Sequence, residues 1–269
     1  MRHALAMFRL GVFGVLALAM TPTVALAGLD DIDALSPAQF KTLSADLVAA
    51  LSHKSLTPAE PLGITGFDIG IGLSVMQTDS DLPWSITTGD EQNYLMIPRI
   101  SIHKGLPLDI DVGGFYATVL GTGIHFFGGE IKYALLEGNV ALPAVALRGA
   151  ATRLSGIEQL DLDTRSVEIV ISKGLANLTP YAGVGRVWGD VTPSGSAVAD
   201  PLRLNPLRLN KESPEMTRVF AGVNFSVFLG SVVLELEKTG ETLAPQPRSA
   251  FVSECGQGRS ADEFRTSDL

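Results

Sequence analysis

The chain is poor in the residues that most often carry chemistry. It has a single cysteine, Cys255, which excludes an intramolecular disulfide, and only four histidines among 269 residues. His53, His103 and His125 lie in no His-x-x-x-His or Cys/His cluster, and the sequence contains no Gly-x-Ser-x-Gly motif. We therefore predict no catalytic residue, no metal site and no cofactor.

Long apolar runs are also scarce. Beyond residue 27, no stretch reaches the roughly 18 consecutive apolar residues that a membrane-spanning helix needs. Because lipid offers no partner to unpaired backbone groups, such a chain enters a membrane only as a closed barrel. The formal net charge of −9 also makes the chain a poor partner for nucleic acid, which proteins bind through its phosphates.

The N-terminus has the pattern of a secretory signal peptide, predicted for residues 1–27. Arg2 and Arg9 form a basic start, an apolar run follows over 10–20, and Ala25-Leu-Ala27 is a small-residue cleavage site. We expect cleavage after Ala27. Because no cysteine follows that site directly, the sequence does not predict a lipoprotein anchor.

Residues 28–62 are predicted to be a periplasmic leader that contains a short amphipathic helix. Ser36 and Pro37 suit an N-cap and first helical position, and Phe40, Leu43 and Leu47 recur at helical spacing. Two interpretations of this helix stay open. It packs on whatever follows, or it plugs or gates one mouth of a barrel.

From residue 63 the apolar period changes from about 3.6 to 2, which is the pattern of β-strands. In the first segment Phe67, Ile69 and Ile71 alternate with glycine, aspartate and serine positions. Nine such segments can be read within 63–240, at 66–75, 94–103, 108–120, 123–135, 145–152, 166–172, 181–188, 219–227 and 231–237.

The connections between these segments alternate in length. Residues 105–107, 137–142, 174–178 and 229–230 are short, whereas 78–93 and 191–217 are long, and 121–122 is a short exception. Outer-membrane barrels place brief turns in the periplasm and longer loops outside. The pattern therefore predicts that the N-terminus lies in the periplasm.

The polar face of the strands favours a membrane barrel over a soluble one. It combines many glycines with charges, and glycine covers a water-facing surface poorly. Inside a narrow barrel, glycines leave room for opposite charges to pair across the lumen. The predicted lumen charge network consists of Asp68, Arg99, Asp109, Asp111, Glu130, Lys132, Arg148, Glu168 and Glu235.

Two alternatives remain beside this interpretation. A soluble periplasmic lipocalin-like or sandwich binding protein would have the same alternation with its apolar face inward. An outer-membrane lipid-modifying enzyme is the other. Aromatic residues near segment ends, Tyr94, Tyr133, Tyr181 and Trp188, suit interfacial girdles but also suit packing.

These features together resemble the small outer-membrane β-barrel proteins of Gram-negative bacteria. The resemblance covers about 63–240 and includes the strand opening Pro180-Tyr-Ala-Gly-Val-Gly185. It implies an all-β fold, an antiparallel transmembrane up-and-down barrel of about ten strands with a short N-terminal helix. It also implies location in the outer membrane, with its lipids and the barrel-assembly machinery as partners.

The C-terminal part departs from that class. Such barrels need an even number of strands, yet residues 241–269 show no alternation and are predicted to be an irregular polar tail. Our hypothesis is that a tenth strand has been lost or replaced, for example by a frameshift. A ten-stranded barrel is narrow, so we expect a filled barrel with a structural, ligand-binding or small-solute transport role, its ligand small or lipidic.

Overall fold

A computed structural model describes most of the chain. The described residues are 32, 35–77, 94–120, 123–157, 159–194, 209–227, 230–240 and 249–257. The predicted signal peptide and its cleavage site lie outside these ranges.

Ten antiparallel strands close into one up-and-down barrel. Each strand pairs with its neighbours in sequence, and β1 also pairs with β10. The predicted all-β antiparallel barrel of about ten strands is therefore confirmed. The strands are β1 Phe67–Gln77, β2 Tyr94–Leu106, β3 Ile110–Thr118, β4 His125–Leu136, β5 Ala144–Ser155, β6 Leu160–Ser172, β7 Leu178–Pro193, β8 Glu215–Val227, β9 Gly230–Thr239 and β10 Ser249–Gln257.

The tenth strand corrects the prediction of an irregular tail for residues 249–257, while 241–248 and 258–269 lie outside the described residues. Residues 249–257 pair with β9 on one side and with β1 on the other, in a register that sets Asp68 opposite Gln257 and Met76 opposite Ser249. The hypothesis that this strand was lost is therefore wrong. The segment reads Ser-Ala-Phe-Val-Ser-Glu-Cys-Gly-Gln, so it has no regular alternation, and only its ladders with β1 and β9 define it as a strand.

The two ends of the barrel differ. The turn end carries the connections 107–109, 137–143, 173–177 and 228–229, and β1 begins there. At the loop end the odd-numbered strands end and the even-numbered strands begin, and the sequence positions between them are 78–93, 119–124, 156–159, 194–214 and 240–248. The predicted contrast between brief turns and long loops thus holds for the longest connections, although 156–159 at the loop end is short.

The apolar face of the strands points outward. Ile71 on β1 is 58% exposed, Ile131 on β4 is 53% exposed and Val219 on β8 is 54% exposed. The alternating positions are buried and face the lumen. A lipocalin-like barrel needs the opposite arrangement, and a sandwich needs two open sheets, so the soluble alternatives are wrong for this fold.

The predicted N-terminal helix is present as α1, Pro37–Leu51. Ser36 caps it and forms a capping box with Gln39, while Pro37 occupies the first turn, where no backbone donor is needed. Its apolar side chains are buried in one cluster with strand residues near the loop end: Met76, Leu95, Phe126, Leu160 and Val191. The helix therefore lies in the loop half of the lumen, against β6 and β7.

The chain continues from α1 through residues 52–66, here called the plug segment, to the start of β1 at the turn end. Most of this segment has no regular secondary structure. It lies inside the barrel, so residues 35–62 of the predicted leader occupy the lumen instead of lying outside the barrel on one side. Among the described residues, no helix is long and apolar enough to cross a membrane.

Candidate functional site: the lumen and its plug segment

Cationic side chains of the barrel wall hold the plug segment by its backbone. Arg218 donates to the carbonyl of His53 at 2.6 Å, and Arg148 donates to the carbonyl of Thr57 at 2.9 Å. Lys132 donates to the carbonyls of Pro58 and Glu60, at 3.1 and 2.9 Å. The same pattern extends through Arg99, which donates to the carbonyl of Lys54, and at the turn end through Lys104, which donates to those of Ile64 and Gly66.

Within the described part of the chain, each buried Lys and Arg of the wall except Arg99 also pairs with a carboxylate of the wall. Arg218 contacts Glu168 and lies 3.3 Å from Glu237, and Arg148 lies 3.3 Å from Glu168. Lys132 lies 3.0 Å from Asp111. The same carboxylates reach the plug segment: Asp111 accepts from the backbone nitrogen of Leu62 at 3.1 Å, and Lys54 pairs with Glu237. Paired in this way, buried charges avoid most of the cost of an isolated ion.

Glu130 on β4 contacts side chains of both the plug segment and the wall. It lies 2.8 Å from His53 Nε2 and accepts from Ser55 Oγ at 2.9 Å, both on the plug segment. From the wall, His103 Nε2 lies 3.1 Å away and Arg148 Nε lies 3.5 Å away. Glu130 thus joins the plug segment to strands β2, β4 and β5.

Burial changes the ionisation of two groups on the plug segment, outside the strands. It lowers the pKa of His53 below its usual value, although the Glu130 carboxylate acts in the opposite direction. The Nε2 atom of His53 lies 2.8 Å from that carboxylate. Burial also lowers the pKa of Lys54 to about 8, with Arg218 adding to the effect and Glu237 opposing it, so Lys54 still carries its charge at neutral pH.

Eight of the nine residues of the predicted charge network are buried on the lumen side. The exception is Asp109, which lies in the turn 107–109 with a positive φ of 57° and is half-buried. The alternation around Leu108 and Ile110 suggested a longer strand, but β3 begins only at Ile110. Asp109 therefore does not belong to the lumen network.

The predicted charge network did not include several residues that the structure places in it. Arg218, Glu237 and His103 are buried in the lumen, and all three sit at positions that the alternation of their strands assigns to the inner face. Their odd or even position within the strand was therefore enough to predict that they face the lumen. His53 and Lys54 carried no such signal, because they lie on a segment without a period, and only the folded barrel brings them beside Glu130 and Glu237.

Glycines on the inner face make room for large side chains, as the sequence predicted. A Cβ at Gly113 would collide with the His103 ring, and one at Gly222 would lie 2.5 Å from Tyr181 Cζ. Tyr181 itself is buried, and its hydroxyl donates to Glu235 at 2.7 Å. The girdle interpretation is therefore wrong for Tyr181. Tyr133 and Trp188 do face outward, and the side chain of Tyr94 lies outside the described residues.

Two further glycines make room for the leader. A Cβ at Gly189 would lie 3.0 Å from the Cβ of Val48 on α1, and one at Gly105 would collide with the backbone of Gly63. Phe115 marks the boundary between the apolar and the charged halves of the lumen. Its ring lies 4.7 Å from the Arg99 guanidinium and 4.7 Å from the His53 ring, while Phe126 packs on it from the loop side.

A cavity of about 610 Å³ lies beside the plug segment at the turn end. Its lining includes Pro58 and Leu62 of the plug segment and His103, Asp111 and Asn224 of the wall. The buried Oδ1 atom of Asn224 accepts no hydrogen bond from the residues that the structure describes. Within the described part of the chain, no group of three or more His, Cys, Asp or Glu side chains is arranged to hold a metal ion.

No family model matches the chain, and no curated protein sequence matches it. Solved structures with a related outline include Ail, the attachment invasion locus protein of Yersinia pestis. The crystal structure of Ail in complex with the heparin analogue sucrose octasulfate is 12% identical in sequence to this chain. The match covers 71% of this chain and 97% of that chain, with a TM-score of 0.27. The backbone structure of Ail in a phospholipid bilayer nanodisc is also 12% identical to this chain. That match covers 72% of this chain and 99% of that chain, with a TM-score of 0.32. Similarity at this level does not assign the chain to a family.

Proposed function

We propose that this chain is an integral outer-membrane protein whose barrel crosses the bilayer and whose lumen is closed by its own N-terminal segment. The observation that carries the proposal is the division of side chains between the two faces. Large apolar residues are exposed on the outside of β1 to β9, and the described charges of the network are inside. A water-soluble monomer rarely exposes a continuous apolar surface of this extent.

The height of the apolar surface supports a membrane location. On β1 the outward residues run from Phe67 to Val75. At about 3.3 Å per residue and a tilt of about 40°, this gives roughly 20 Å, against the ~25 Å apolar band of outer-membrane barrels.

On β5 to β8 the outer face becomes charged towards the loop end, and this change sets the upper edge of the belt on those strands. Arg153 pairs with Asp163 at 3.1 Å, and Arg186 pairs with Glu215 at 3.2 Å, both on the exposed surface. Charged side chains at this level would meet headgroups and water instead of acyl chains.

We infer that the turn end faces the periplasm and the loop end faces the exterior, because outer-membrane barrels keep their short turns on the periplasmic side. Export through the signal peptide, insertion by the barrel-assembly machinery and contact with outer-membrane lipids belong to the same proposal. The filled lumen favours a barrel that is closed at rest and acts structurally, through a small or lipidic ligand, or in small-solute transport.

The proposal is tested by expressing the full gene in a Gram-negative host and separating the membranes. We expect the protein in the outer-membrane fraction, extracted only by detergent, with a gel mobility that shifts on boiling because the closed barrel resists unfolding. A matched sample of a periplasmic protein controls for lysis. Recovery of the folded protein in the soluble periplasmic fraction would refute the proposal.

A further inference from the structure

The lumen consists of two unlike halves. In the loop half, α1 packs against apolar wall residues, with Phe40, Leu43 and Leu47 almost completely buried. In the turn half, the irregular plug segment meets a charged wall, and the cavity of about 610 Å³ lies beside it. The tight seal is therefore at the loop half, while the turn half is a polar vestibule.

The interior of this barrel is filled differently from that of most small barrels, in which wall side chains occupy the lumen. Here glycines in the wall, which have no side chain, leave room for the leader. Gly189 accommodates Val48, and Gly105 accommodates the backbone of Gly63. The space that the leader occupies is thus provided by the wall, and it would become free if the leader left.

The contacts that hold the plug segment can be exchanged for water. Arg218, Arg148 and Lys132 bind its backbone carbonyls, and a hydrogen bond from a charged donor contributes only about 1.5–3 kcal/mol net. The wall cations would keep their carboxylate partners Glu168 and Asp111 without the plug segment. Departure of the leader therefore leaves a wall whose charges are largely still paired.

The charges of the described wall leave a small acidic excess in the lumen. On β1 to β9 the buried acids outnumber the buried Lys and Arg side chains by six to four. The acids are Asp68, Asp111, Glu130, Glu168, Glu235 and Glu237, and the bases are Arg99, Lys132, Arg148 and Arg218. An open lumen lined in this way attracts small cations more than anions.

We propose that the N-terminal segment 35–66 is a removable plug and that the barrel beneath it conducts small inorganic ions, with a preference for cations. Helix α1 forms the seal, and the turn-end vestibule is the access path. This inference rests on the proposed membrane location.

A disulfide between α1 and β7 tests the seal. In a Cys255→Ser background, Val48→Cys and Gly189→Cys place two Cβ atoms about 3.0 Å apart, so a shift of less than 1 Å reaches the 3.5–4.5 Å of a disulfide. In planar bilayers with potassium chloride, we expect openings under reducing conditions, their loss on oxidation and their return on reduction. The matched control is the Cys255→Ser protein, whose openings should not respond to oxidation.

A second variant keeps the test decisive if the pair perturbs folding. Deletion of residues 35–62 removes the seal while sparing every strand. We expect a persistent conductance, and in a tenfold salt gradient the sign of the reversal potential should show that cations permeate better than anions. Insertion is scored separately by heat-modifiable mobility in the same vesicles. Inserted barrels that never conduct, with the leader deleted or with the cysteine pair reduced, overturn the plug proposal alone. Anion selectivity would contradict the inference that ions pass through the acidic lumen. Barrels that do not insert would contradict the proposed membrane function itself.

Discussion

At the residue scale, Glu130 links the plug segment to the barrel wall through four side chains. Its carboxylate receives His53 and Ser55 from the plug segment and lies within 3.1 Å of His103. All of these groups are buried. Removing the charge would leave several buried donors without their acceptor, which is much more costly than removing an exposed ion pair.

We predict that Glu130→Gln lowers the free energy of unfolding by about 3–5 kcal/mol, the cost of breaking a buried pair. The matched control is Glu215→Gln, which removes an exposed pair with Arg186 and should cost no more than about 1 kcal/mol. Urea unfolding of the barrel in lipid vesicles, followed by tryptophan fluorescence, measures both. Equal effects of the two substitutions would contradict the conclusion that Glu130 stabilises the barrel by binding both the plug segment and the wall.

The outer face has its own residue-scale test. Ile169 on β6 is exposed within the apolar belt, while Thr217 on β8 is exposed near the loop end. Ile169→Arg should destabilise the inserted barrel by about 2–4 kcal/mol, and Thr217→Arg by at most about 1 kcal/mol, because the cost of a cation on the lipid face falls from the midplane to the interface. The readout is the same urea unfolding, in vesicles. If the two arginines cost the same, the belt does not face lipid.

At the scale of elements, the fit of α1 against β7 depends on a gap in the wall. Gly189 leaves the space into which Val48 fits. We predict that Gly189→Leu displaces the helix and that trypsin then cleaves after Lys54, which is buried in the intact protein. Gly114→Leu on the outer face of β3 is the control, since a Cβ there finds only an ordinary contact at 3.6 Å. Unchanged resistance of Lys54 in the Gly189 variant would contradict this role of the gap.

The elements also show what a sequence can and cannot predict. The strands with clean alternation, such as β1 and β6, were predictable because the two faces of a strand differ locally in polarity. β10 was not, since its residues alternate irregularly and only its ladders with β1 and β9 make it a strand. The place of the leader was equally hidden. Its amphipathic helix is visible at Phe40, Leu43 and Leu47, but the surface that receives it comes from strands far along the chain.

At the scale of the whole molecule, the path of the leader fixes a direction. The chain passes from α1 in the loop half, through the plug segment, to β1 at the turn end. Lys41 on α1 is exposed at the loop end, and Val140, in the connection 137–143, is fully exposed at the turn end. With the turn end in the periplasm, these two side chains lie on opposite sides of the membrane.

We predict that Lys41→Cys, in a Cys255→Ser background, reacts with a membrane-impermeant maleimide on intact cells. Val140→Cys should react only after the outer membrane is permeabilised, and the Cys255→Ser protein should not react at all. The measurement is the fraction of protein that gains the mass of the label. The reverse pattern of labelling would invert the proposed orientation.

The position of the leader inside the barrel also constrains the order in which the parts of the protein assemble. The seam of the barrel joins β1 to β10, which are the strands farthest apart along the chain, and pairings of this kind form slowly because a long loop must first be closed. Once the seam has formed, α1 would have to be threaded lengthwise through a narrow ring to reach the loop half. Closure of the seam around a leader that is already inside the ring avoids this passage during assembly, and in the closed barrel the leader leaves only along the lumen.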